Sequence, residues 1–105
     1  GLHDPPLGDI TGTWLLDGGR SVLNMHQDPD NGSVSGELAT PGKRALAFHG
    51  KVAANQLVFE LGAPGRTTKF FLDMQQDGSV LRGTWTDYRG ASGPQELVRH
   101  AVSPE

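Results

Sequence analysis

Apolar side chains recur along this chain at every second position. Leu23 and Met25 do so, then Leu57, Phe59 and Leu61, then Phe70, Leu72 and Met74. Successive side chains leave a strand on opposite sides, so a repeat of two marks a strand with one buried face. Eight such runs are legible: 10–16, 20–27, 33–39, 44–52, 56–61, 67–75, 79–86 and 95–101. Turn-forming clusters separate them: Asp17-Gly18-Gly19, Asp30-Asn31-Gly32, Thr40-Pro41-Gly42, Ala54-Asn55, Gly62-Ala63-Pro64-Gly65, Asp77-Gly78 and Gly90-Ala91-Ser92-Gly93. No stretch holds a 3.6-residue period, so no long helix is expected. Every connection is too short for a parallel crossover, which makes each neighbouring pair antiparallel. Eight hairpin-linked strands leave two bare edges unless the sheet closes. The expected fold is therefore all-β, an eight-stranded antiparallel up-and-down (meander) barrel.

The turns set registers. With Asp77-Gly78 as a two-residue turn, Met74 faces Leu81, Leu72 faces Gly83 and Phe70 faces Trp85. On the other face Asp73 meets Arg82, an opposite-charge pair. A turn at Gly18-Gly19 sets Trp14 against Leu23 and Gly12 against Met25. In the next long hairpin Leu61 faces Thr68, which puts Phe59 beside Phe70 and Val58 beside Phe71. A slip of one residue would reverse all of this. The interior then holds Ile10, Trp14, Leu16, Leu23, Met25, Leu38, Leu46, Phe48, Val52, Leu57, Phe59, Leu61, Phe70, Leu72, Met74, Leu81, Trp85 and Leu97, with Arg99 its one charge. Gly36 and Gly83 also point inward. They either leave room at mid-depth or serve only to bend strands around a tight barrel.

Residues 1–9, with two adjacent prolines, read as a flexible leader, 10–101 as the barrel domain and 102–105 as a tail. Two segments echo each other: Leu23-Asn24-Met25 before Gly32-Ser33-Val34, and Leu72-Asp73-Met74 before Gly78-Ser79-Val80. Gly12-Thr13-Trp14 likewise recurs as Gly83-Thr84-Trp85. Similar hairpins selecting similar residues and a duplicated four-strand unit both account for this.

The net charge of −3 argues against nucleic acid as a partner. There is no cysteine, which removes thiolate metal sites and cysteine nucleophiles. No apolar run is long enough for a membrane span. An extracytoplasmic, secreted or periplasmic, location is expected.

Gly12-Thr13-Trp14 on the first strand and Arg99 on the last resemble the calycin signature of lipocalins, fatty-acid-binding proteins and avidins. In that group a Gly-x-Trp packs beneath an arginine from near the end of the barrel. The resemblance implies a barrel closed at the Trp14 end and open at the other, with structural roles for Trp14 and Arg99. The chain is shorter than lipocalins and lacks their long first loop and flanking helix. No biotin-contacting pattern is present.

An apolar interior offers no poised acid, base or nucleophile, and no inward carboxylate pair. The chain is expected not to be an enzyme, with a substrate-shaping barrel cyclase the hardest kind to set aside. His26, His49 and His100 fall on the outward phase, without the convergence a zinc site needs, and no metal or cofactor is expected. Asn31-Gly32-Ser33 matches a glycosylation sequon but is also a good hairpin turn. Charges segregate by end. Asp9, Asp28, Asp30 and Asp77 share the end with the termini. Arg20, Lys43, Arg44, Arg66 and Arg89, with Tyr88, share the other, where Asp17 and Asp87 partly neutralise them.

A basic rim over an apolar cup favours an anionic amphiphile. The leading expectation is a carrier or sensor for an apolar or anionic amphiphilic small molecule. Its cup would be lined by Leu16, Leu46, Phe59, Leu61, Phe70 and Trp85, and its mouth by Arg20, Lys43, Arg44, Arg66, Tyr88 and Arg89. The alternative is a protein-binding module, an inhibitor or assembly domain, whose filled barrel acts through its loops or outer face. Val58 and Phe71, paired outside, suit a homodimer contact.

Overall fold

The computed structural model describes residues 10–75 and 78–100. Eight strands follow in order: β1 (Gly12–Leu16), β2 (Ser21–Gln27), β3 (Ser33–Ala39), β4 (Leu46–Ala53), β5 (Gln56–Ala63), β6 (Arg66–Met74), β7 (Val80–Asp87) and β8 (Ser92–Arg99). Each pairs antiparallel with the next, and β1 pairs with β8, so the sheet closes. Closure removes the two bare edges that an open meander would expose. Among the described residues the one helical piece is the 3-10 turn Asp17–Gly19. The expected leader 1–9, the tail 102–105 and Asp77 lie outside the described residues.

The registers are those the turns imply. Trp14 pairs with Leu23 and Gly12 with Met25. Phe59 pairs with Phe70, Val58 with Phe71 and Leu61 with Thr68. Phe70 pairs with Trp85, Leu72 with Gly83 and Asp73 with Arg82. Asn31 makes a turn: its Oδ1 accepts from the Ser33 N–H at 2.8 Å.

Asp73 and Arg82 face each other, yet the Arg82 guanidinium turns to the other neighbouring strand. Its Nε and Nη2 donate to Glu96 Oε2 at 3.0 and 2.8 Å. Both side chains are about half exposed, and solvent screens the pair. Glu96→Gln is therefore expected to shift stability by less than about 1 kcal/mol, read from the urea midpoint at unchanged slope. A loss above about 2 kcal/mol would mean that this pair braces the β7–β8 hairpin.

The interior is apolar. Ile10, Trp14, Leu23, Leu57, Phe59, Leu72, Leu81 and Leu97 are at most 1% exposed, and Leu38, Met74 and Trp85 pack against them half-buried. Two residues depart from expectation. Val34, in phase with Gly36 and Leu38 but not expected inside, is buried. Leu46, expected inside, is 44% exposed. The cause is tilt. The row of register partners Trp14, Leu23, Leu38, Leu46 starts in mid-β1 and ends on the first residue of β4. Barrel strands tilt against the axis, so a row that begins inside climbs to the rim.

One end is sealed by Trp14 and Arg99, which are direct partners across β1 and β8. The indole is fully buried, and its Nε1 donates to the Ile10 carbonyl at 2.9 Å. The Arg99 guanidinium lies 4.4 Å from the indole centroid. Its Nε donates to the Gly78 carbonyl and its Nη1 to the Thr11 carbonyl, both at 3.1 Å. Arg99 is half-buried, and these acceptors replace the water that its guanidinium loses over the indole.

Candidate functional site

In a closed meander of eight strands the odd-numbered connections share one end. The β1–β2, β3–β4, β5–β6 and β7–β8 turns therefore sit together, opposite the Trp14–Arg99 seal. They bring Arg20, Lys43, Arg44, Arg66, Tyr88 and Arg89 to one rim, and all six are exposed. The β7–β8 turn is closed by its own hydrogen bonds. Asp87 Oδ1 accepts from the N–H groups of Arg89 and Ala91, both at 2.9 Å. Arg89 Nε donates to Tyr88 Oη at 3.2 Å, and its guanidinium lies 5.4 Å from the ring centroid. Asp28 and Asp30 lie in the β2–β3 turn, at the sealed end.

Below the rim the six cup residues separate by depth. Phe59 is fully buried, Leu16, Leu61 and Phe70 are buried, Trp85 is half-buried and Leu46 is exposed. The waist is occupied. Phe48, Phe59 and Phe70 pack in series with centroids 4.8 and 4.7 Å apart, the first pair tilted and the second stacked. The inward glycines hold no spare room. A Cβ on Gly36 would strike the Asn24 carbonyl and come within 2.8 Å of the Phe48 ring, and one on Gly83 would strike the Phe71 carbonyl. The space a side chain would take at these two positions is held by neighbouring backbone and, at Gly36, by the Phe48 ring. At Gly93 the space of a side chain is taken by the Trp85 indole, 3.0 Å from the position of a Cβ.

The wall is uneven at the rim. β1 ends at Leu16, opposite Leu97, whereas β8 begins five residues earlier at Ser92. The first part of β8 thus stands clear of β1. A depression of about 530 Å³ lies in this notch, lined by Gly18, Arg82, Trp85, Pro94, Gln95 and Glu96. The sequence reading missed it, because β8 is not expected to start before Gln95. The signal was Pro94, which a strand tolerates where its missing N–H faces no partner.

On the outer wall Val58 and Phe71 stand side by side, each only half-buried. The large apolar side chains most open to solvent are elsewhere: Leu46, Tyr88 and Val98, at 44, 50 and 41%. His26 and His49 flank Ser35 on the outer wall. No group of three or more metal-ligating side chains converges among the described residues. No helix among them is long and apolar enough to cross a membrane. No protein-family model matches the chain, and no curated protein matches it.

Proposed function

We propose that the chain is a non-catalytic binding module that works through the basic end of its barrel, against an acidic surface of a protein partner. One observation carries this. Five exposed cations, Arg20, Lys43, Arg44, Arg66 and Arg89, share that end with Leu46 and Tyr88, two of the large apolar side chains most open to solvent. Arginine, tyrosine and aliphatic side chains on loops held by a rigid scaffold are the usual composition of an interface. The three phenylalanines packed at the waist support a barrel that acts by its surface.

A carrier for an apolar or anionic amphiphile, in a cup confined to the rim, is the second reading. The half-buried Trp85 and Leu38 favour it. A fluorescent fatty-acid probe separates the two. The module reading expects no saturable binding. It also expects native mass spectrometry of the protein from its own source to show a protein complex, which Arg44→Glu with Arg66→Glu removes. A probe that binds saturably and quenches Trp85, with affinity falling as salt rises and after Arg44→Ala or Arg66→Ala, would decide for the carrier.

A further inference from the structure

We propose that the notch between β8 and the β1–β2 turn is a binding site for a neutral saccharide ring. The inference stands apart from the partner proposed for the rim cations, since none of those residues lines the notch. Its volume of about 530 Å³ is within the range of small-molecule sites. Its origin is architectural. Because β1 stops at Leu16, a concavity opens beside Pro94, Gln95 and Glu96, and its opposite side is Gly18. Gly18 has φ +72, and no atom lies within 4 Å of where a Cβ would stand, so that side is open.

The lining matches one ligand chemistry. A pyranose has an apolar C–H face and a rim of hydroxyls, each both donor and acceptor. The notch supplies the complement of both. Around the free edge of β8, Trp85 and Gln95 reach the notch from the inner face, and Pro94, Arg82 and Glu96 from the outer face. Trp85 and Pro94 supply the apolar part, and the indole rests against Gly93. Arg82 offers donors, Glu96 acceptors and the Gln95 amide both. These groups are pre-set. Arg82 uses Nε and Nη2 on Glu96 Oε2, which leaves Nη1 and Glu96 Oε1 to a ligand. The Gln95 Nε2 donates to the Glu96 carbonyl at 3.2 Å, which leaves its Oε1 as an acceptor. Fixing polar groups before binding lowers the entropy lost on binding. Charge decides the class of sugar. The Arg82–Glu96 pair is internally neutral, so the notch carries no net charge to draw a charged ring.

The test uses maltose, cellobiose, lactose and diacetylchitobiose as probes on the whole chain, followed by NMR. Trp14 is fully buried, so its indole N–H serves as an internal control. At least one disaccharide is expected to bind saturably, in the millimolar range usual for a shallow open site. Shifts should centre on the Trp85 indole N–H and the Gln95 side-chain amide. Gln95→Ala and Glu96→Gln should each weaken binding about threefold to tenfold, Trp85→Ala should abolish it, and Lys51→Ala, on the exposed face of β4, should leave it unchanged. Where Trp85→Ala does not fold, Trp85→Leu keeps an apolar filler against Gly93 and should still lose the stacking. The proposal is overturned if no probe saturates, if binding survives both Trp85 variants, or if glucuronate binds more tightly than glucose.

Discussion

Trp14→Ala is expected to lower stability by about 3–5 kcal/mol, the largest loss from any single truncation in this barrel. Three contributions converge there. The indole is fully buried, so its removal forfeits a large apolar surface and leaves a cavity under the sealed end. Its Nε1 bond to the Ile10 carbonyl disappears. The Arg99 guanidinium loses the ring 4.4 Å away, although its bonds to the Gly78 and Thr11 carbonyls survive. Trp14→Phe separates the parts. It keeps an aromatic face for Arg99 but drops the indole bond, and should cost about 1–2 kcal/mol beyond its lost volume. Urea unfolding at constant slope measures both, and Trp14→Ala should lower Tm by about 15 °C or more. A loss below about 1 kcal/mol would mean that the Trp14–Arg99 contact does not seal this end.

What can be read from the chain, and what cannot, divides along a physical line. Strand phase is local, because alternation at Leu57, Phe59 and Leu61 is set within one strand. Registers follow from turn length, which is why Phe59–Phe70 and Phe70–Trp85 are legible pairings. The exposure of Leu46 belongs to the closed barrel rather than to β4, because only tilt lifts an inward-phase residue onto the rim. Val34 was hidden for another reason. It is a lone apolar residue between two serines, and isolated alternation has little contrast.

The candidate site was half legible. That five cations share an end follows from the parity of a meander. Arg82's choice of Glu96 over Asp73 does not, since both flank it and only side-chain geometry decides. The notch was hidden because proline reads as a strand breaker, and Pro94 sits where β8 has no neighbour to receive an N–H.

Depth is the property on which sequence is most ambiguous, and Gly83→Ala measures it. An inward glycine beside a hollow cup should accept alanine with a gain of about 0.5–1 kcal/mol, because alanine loses less chain entropy on folding. In a packed barrel the same change overpacks. At Gly83 the added carbon would meet the Phe71 carbonyl and crowd the Leu72 Cα, both backbone, and neither strand can yield without breaking the β6–β7 ladder. The expected result is a loss of about 3 kcal/mol or more, at the upper end of overpacking costs. Gly36→Ala should lose somewhat less. There the Phe48 ring can move, although the Asn24 carbonyl cannot. Gly93→Ala should lose least, since its nearest neighbour is the half-buried Trp85 indole, which can shift toward solvent and change its emission. The order Gly83, Gly36, Gly93 is thus a ranking of backbone against side-chain obstruction, and thermal unfolding of the three variants reads it. Alanine stabilising the protein at Gly83 would reverse the sign, make the barrel hollow at mid-depth, and restore the carrier to first place.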